Sequence, residues 1–149
     1  MKNFAENQIS PYEFTDYFNS RFAQVTYIKD LKIVICKLKS EYVPIEHFKD
    51  TFYKISELVE AGFNQKFVFD KRALKAFHQP SMEWYFVEWK TKMYEHGLKT
   101  HRKILPPEPW FKKSVDIAKE QIYRHHPNLP VIDKLDIKYC NTLEEAIEN

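Results

Sequence analysis

Between two short apolar runs, Ile33 to Leu38 and Lys66 to Asp70, the chain sets Ile45, Phe48, Phe52, Ile55 and Val59 at alternating spacings of three and four. That spacing is one face of an amphipathic helix. Pro44 stands at its first turn and Gly62 just past its last apolar residue, the positions these two residue types favour at helix ends. A helix inserted between two strands rules out a hairpin between them. It calls instead for parallel strands joined by a right-handed crossover. This strand–helix–strand unit limits the chain to folds in which helices cover a largely parallel sheet.

The remaining segments extend the same pattern. Val25, Tyr27 and Ile33, Ile35 alternate on either side of Lys29-Asp30-Leu31-Lys32, which predicts an opening β-hairpin. Ser81 to His96 reads as a second helix with Tyr85, Trp89 and Met93 on one face and Gly97 as its stop. His101 to Leu105 reads as a strand broken by Pro106 and Pro107, and Pro109 opens a helix that turns Phe111, Val115, Ala118 and Ile122 inward. Leu135 to Cys140 alternates as a last strand, and Thr142-Leu143-Glu144-Glu145 has the capping-box pattern of a short terminal helix. The expected fold is a single α/β domain over residues 24–149, with a mixed, mainly parallel sheet and about four helices. Residues 1–23, with Phe4, Tyr12, Phe14, Tyr17 and Phe18, are too aromatic for a disordered tail and are expected to pack on it. Only two glycines among 149 residues argue against phosphate-cradling loops and against a hairpin-dense all-β fold.

Charge and cysteines exclude several function classes. The formal net charge of +2, with lysines scattered among acids, reads as solvated faces and gives no reason to expect nucleic acid as a partner. Cys36 and Cys140 match no metal or redox spacing and are expected to be reduced, structural thiols in a cytoplasmic protein. The polar start, Met1 to Ser10, does not read as a signal peptide, and no apolar stretch is long enough to insert in a membrane. The adjacent His125 and His126 point about 100° apart on a helix, and His96 and His101 lack clustered acids, so neither a metal nor a cofactor is expected.

Candidate functional residues gather where Phe67 to Arg72 ends and the next helix begins, since ligands of open α/β sheets sit at strand carboxyl ends. Asp70, Lys71, Arg72, His78 and Ser81 would converge there on a phosphate or carboxylate. The plainer reading pairs Asp70 with Arg72 or Lys71, leaves His78 in solvent and makes Ser81 an amino-cap. Ser81, His78 and Asp70 could be drawn as a nucleophilic set, yet no nucleophile elbow surrounds Ser81, and no enzyme is expected. In the band Trp84, Tyr85, Phe86 and Trp89, burying Tyr85 and Trp89 leaves Trp84 or Phe86 more exposed. Those two and Trp110 are either core or the centre of an interface, a homodimer included, or the wall of an apolar pocket.

The hairpin, the strand ending on Phe69-Asp70-Lys71-Arg72, the helix with Glu83, Trp84 and Trp89, and the closing Leu143-Glu144-Glu145-Ala146 together resemble the STAS superfamily, in particular its SpoIIAA-like branch. The resemblance runs from about residue 24 to the end. It implies a small bacterial binding or regulatory module, not an enzyme, that works through contact with a protein partner. In the anti-sigma-factor antagonists of this superfamily, a Ser at the start of the corresponding helix is phosphorylated by a partner kinase. The matching position is Ser81, flanked here by Gln79-Pro80 and Met82-Glu83 where the antagonists have an Asp before and a Gly after. The related Sec14-type folds enclose lipids, so the alternative is a carrier or sensor of a small apolar or anionic ligand. An aromatic-lined cavity on the order of several hundred cubic ångströms would mark it.

Overall fold

The computed structural model describes residues 12–149. Phe4 and the rest of the first eleven positions lie outside the described residues. Lys32, at φ 59°, closes the turn that folds β2 (Ala23–Ile28) back on β3 (Ile33–Leu38), and the two pair antiparallel from Ala23 opposite Leu38 to Ile28 opposite Ile33. This is the expected hairpin. Ahead of it Thr15–Asn19 forms β1 on the outer edge of β2, with an irregularity between Asp16 and Phe18. The spacing of residues 1–23 announced no strand, because β1 is exposed along nearly its whole length and so carries no apolar alternation.

After the hairpin the chain winds as α1 (Ile45–Glu60), β4 (Lys66–Asp70), α2 (Gln79–Trp84), a π-helical turn (Tyr85–Trp89), α3 (Lys90–Glu95), β5 (Thr100–Ile104), α4 (Pro109–His125), β6 (Asp136–Tyr139) and α5 (Leu143–Glu148). The sheet is six-stranded with spatial order identical to chain order, and β3 to β6 are parallel. Right-handed crossovers that always step in one direction stay on one side of a sheet. Accordingly α1, the rod from α2 through α3, and α4 all pack on the face carrying Val34, Cys36, Phe67 and Phe69. The opposite face, with Ile33, Ile35, Val68 and Ile104, is covered by Leu143, Ala146 and Ile147 of α5, with Tyr12 and Phe14 alongside. No helix among the described residues is long and apolar enough to cross a membrane.

Both glycines end helices. Gly62 (φ 111°) and Gly97 (φ 95°) follow α1 and α3 in left-handed backbone. Behind them the Phe63 and Leu98 amides donate back to the Leu58 and Met93 carbonyls, which satisfies the orphan acceptors of each last turn. At α5, the Thr142 hydroxyl accepts from the Glu145 amide at 3.0 Å, and the Glu145 carboxylate accepts from the Asn141 amide at 2.9 Å. The reciprocal cap read from the sequence is thus formed, shifted by one residue on its return arm.

Candidate functional site

Strand alternation sorts the residues at the carboxyl end of β4. Asp70 follows Val68 to the α5 side, while Lys71 follows Phe67 and Phe69 to the helical side. Asp70 is then held by Arg72, whose Nε and terminal nitrogen donate to its two oxygens at 2.9 and 2.6 Å. The five candidates therefore do not converge. Asp70 and Arg72 form a bidentate pair of their own, and Lys71, His78 and Ser81 meet on the wall of a cavity of about 50 Å³. Leu38, Val43, Phe48, Phe69, Phe77 and Phe111 supply most of its apolar lining.

The capping expectation at Ser81 is corrected. The helix begins at Gln79, and His78 is the amino-cap, its Nδ1 accepting from the Ser81 amide at 3.3 Å. Pro80 lies inside the first turn, where its missing N–H costs nothing, and this pulls the start ahead of Ser81. Ser81 is buried, with its hydroxyl 2.8 Å from the same Nδ1. His78 is thus structural and only partly exposed, not a free side chain in solvent.

Behind the cavity lies a feature the even scatter of charge concealed. Lys71, Lys90 and Lys103 are all buried, as are His101 and Arg102. Arg102 points to the α5 side, where a terminal nitrogen donates to the Asp136 carboxylate at 3.0 Å and the Asn149 carbonyl at 2.8 Å, while its buried Nε has no partner among the described residues. The lysines face the other way and meet rings instead. The Lys90 and Lys103 Nζ atoms lie 3.9 and 4.4 Å from the centre of Phe86, and that of Lys119 lies 5.7 Å from it. Lys71 Nζ lies 5.2 Å from Phe69 and 5.9 Å from Phe111. Lys90 Nζ, Lys103 Nζ, the Tyr85 hydroxyl and both ring nitrogens of His101 are buried without a hydrogen-bond partner.

Burial without a counter-ion disfavours every charged form here. It brings Lys71 down to about 7, with Lys119 adding repulsion. Burial pushes Lys90 and Lys103 well below the ordinary lysine value; the charges of Lys119 and Lys71 lower Lys90 further, and those of Lys90 and Lys71 lower Lys103. His101 is held neutral by burial and the adjoining cations, and burial raises the Tyr85 phenol. The reading of the lysines as solvated faces is therefore corrected for these three. The available signal was Thr100-His101-Arg102-Lys103-Ile104, a polar run in a parallel strand covered on both faces, where apolar residues are the rule.

The aromatic expectation also changes. Trp84 and Phe86 are both buried, at 9% and 2% exposure. The π-helical turn widens the rod between Tyr85 and Trp89, so a band too broad for an α-helical stripe turns wholly inward. Trp84 packs edge-on against Phe48, Phe52 and Tyr53, with Lys49 over its face. Trp110 does reach the surface, at 45% exposure, beside the cavity residue Phe111. On the other side of the mouth Tyr42, also half exposed, meets His78 edge-on at 6.1 Å. The sequence reading passed over Tyr42, which sits in a polar loop and carries no periodic signal.

No group of three or more His, Cys, Asp or Glu side chains converges as a metal site among the described residues. Comparison with protein-family models, with curated proteins and with solved structures returned no match. The α/β class and the mixed sheet stand on the coordinates alone.

Proposed function

We propose that the chain is a STAS/SpoIIAA-like binding or regulatory module that acts through protein contact at the carboxyl pole of its sheet. The reading is supported by the opening hairpin followed by parallel strands in chain order, and by two half-exposed rings, Tyr42 on the cavity lining and Trp110 against the lining residue Phe111. The observation that carries it is size. A cavity of about 50 Å³ holds one or two water-sized groups, against the several hundred cubic ångströms of sites that bury drug-sized ligands. A lipid does not fit this cavity. The wider cleft of about 370 Å³ beside Tyr53, Trp84 and Trp89 is rimmed by Glu57, Glu60 and Glu88, which suits neither an apolar nor an anionic ligand. Half-exposed aromatic rings are what protein interfaces use as anchors.

The module does not switch through phosphorylation of Ser81. Its hydroxyl is buried and hydrogen-bonded to the capping imidazole, so a kinase would have to unwind the first turn of α2 to reach it. Binding is instead controlled at the exposed rim. The test is native mass spectrometry of the chain purified from its own host, as wild type and as Tyr42→Ala/Trp110→Ala. A protein that accompanies wild type and is lost from the double variant, with circular dichroism unchanged, supports the reading. A partner retained by both, or a small-molecule adduct in place of a protein, overturns it.

A further inference from the structure

Several buried donors at this pole have no acceptor among the described residues. Lys71 is nine-tenths buried on the cavity wall, and among the described residues its amine meets only the faces of Phe69 and Phe111. The Tyr85 hydroxyl, on a residue lining the same cavity, has no partner, and neither do the Lys90 and Lys103 amines beside the Tyr85 and Phe86 rings. No carboxylate lines the cavity. A cluster of donors with apolar walls and no acid lacks a compact group rich in oxygen and negative charge.

We propose that the Lys71 amine captures carbon dioxide in this cavity as a carbamate. The amine lone pair forms an N–C bond to the carbon, and one C=O π pair moves onto oxygen. The N–H proton leaves to solvent at the cavity mouth, so one carbon dioxide and one neutral amine become a carbamate and a released proton. The product anion accepts from the Tyr85 hydroxyl, on a residue that lines the same cavity, which supplies that donor's missing acceptor. Carbon dioxide has three atoms and no net charge, which suits a cavity of about 50 Å³ walled by aliphatic and aromatic side chains. Aldehydes would react with the same amine, but an iminium product is a cation, and no carboxylate among the described lining residues is there to meet it. Burial supports the chemistry as well, since with Lys71 brought down to about 7 a large share of its amine is free base near neutrality. The inference is independent of the protein-contact reading, which concerns the rim outside the cavity.

The experiment treats the intact chain with isotopically labelled bicarbonate at neutral pH and follows it by carbon NMR. The adduct is then trapped with a trialkyloxonium salt and the peptides mapped by mass spectrometry. The expected result is one carbamate resonance and one alkylated carbamate, located on Lys71. Both should be absent from Lys71→Met and reduced several-fold in Tyr85→Phe, which keeps the ring and loses the donor. A folded wild-type chain with no trapped adduct, an adduct located elsewhere, or label bound only as exchangeable bicarbonate each overturns the proposal. The wild-type trapping decides the matter even where a variant folds poorly.

Discussion

Lys71 is brought to its position by one step of strand alternation, and its environment rather than its residue type sets its chemistry. In the unfolded chain its amine takes up a proton at the ordinary 10.5, and in the folded chain at about 7. Between those values the unfolded state binds more protons, so stability rises with pH by up to roughly 1.4 kcal/mol per pH unit from this group. Lys90 and Lys103, lowered further by burial, act with the same sign, in a field shared with Lys119 and His101. Cys36 and Tyr85 oppose them, because burial raises both above their ordinary 9.0 and 10.0 and the unfolded state then sheds protons first. In buffer depleted of carbon dioxide, the melting temperature is therefore expected to climb from pH 7 to about 9 and to climb more shallowly beyond it, where Cys36 and then Tyr85 begin to oppose the lysines. Lys71→Met should be more stable than wild type at pH 7 and show a flatter climb. A wild-type profile that is level or falling between those pH values would mean the buried amines keep their protons at no cost.

Among the elements, the two glycine-ended helices look alike in sequence and differ in their surroundings. A Cβ at Gly62 would meet nothing within 4 Å, whereas one at Gly97 would sit 2.7 Å from Asn64 Nδ2. That same Asn64 nitrogen donates to the His96 carbonyl at 2.9 Å and ties the end of α3 to the loop after α1. Gly62→Ala carries only the backbone penalty of its positive φ, about 1–2 kcal/mol. Gly97→Ala adds the displacement of Asn64 and the loss of its bond, a further ~1 kcal/mol. Urea denaturation of the two variants should rank them in that order, and equal losses would show that Asn64 yields freely. The caps and apolar faces were legible in the sequence because helix ends and amphipathic stripes are local patterns. The π-helical turn was not. Its extra residue per turn is stabilised by burying Tyr85, Phe86 and Trp89 together, which no spacing of residues 79–95 discloses.

For the molecule as a whole, strand order equal to chain order means that the parallel half of the sheet never reverses direction. There is then no topological switch point, the place where open α/β sheets ordinarily leave a crevice for a ligand. The carboxyl pole is accordingly closed to a small cavity, and the other face of the sheet depends on one short helix. Lys66 donates to the Ala146 and Ile147 carbonyls at 3.0 and 2.7 Å, and Arg102 to that of Asn149, so α5 is fastened at its last turn. Ending the chain after Asn141 would uncover Ile35, Val68 and Ile104 and remove both carbonyl acceptors of Lys66 and one of those of Arg102, at a cost of several kcal/mol, comparable with the stability of a small domain. A steep drop in melting temperature with strong binding of a hydrophobic dye is the expected outcome, and an unchanged transition would show α5 to be dispensable. By itself the sequence determined the α/β class, the hairpin and the inward faces of α1 and α4, because period and cap chemistry act over a few neighbouring residues. It also marked the end of β4 as the place where Lys71, His78 and Ser81 lie. Only the tertiary structure decided that Asp70 and Arg72 part from them, that His78 caps in place of Ser81, and that Lys90 and Lys103 lie buried behind Tyr85. Those outcomes depend on which elements cover each face of the sheet, and a lysine in the chain carries no local mark of whether water will reach it.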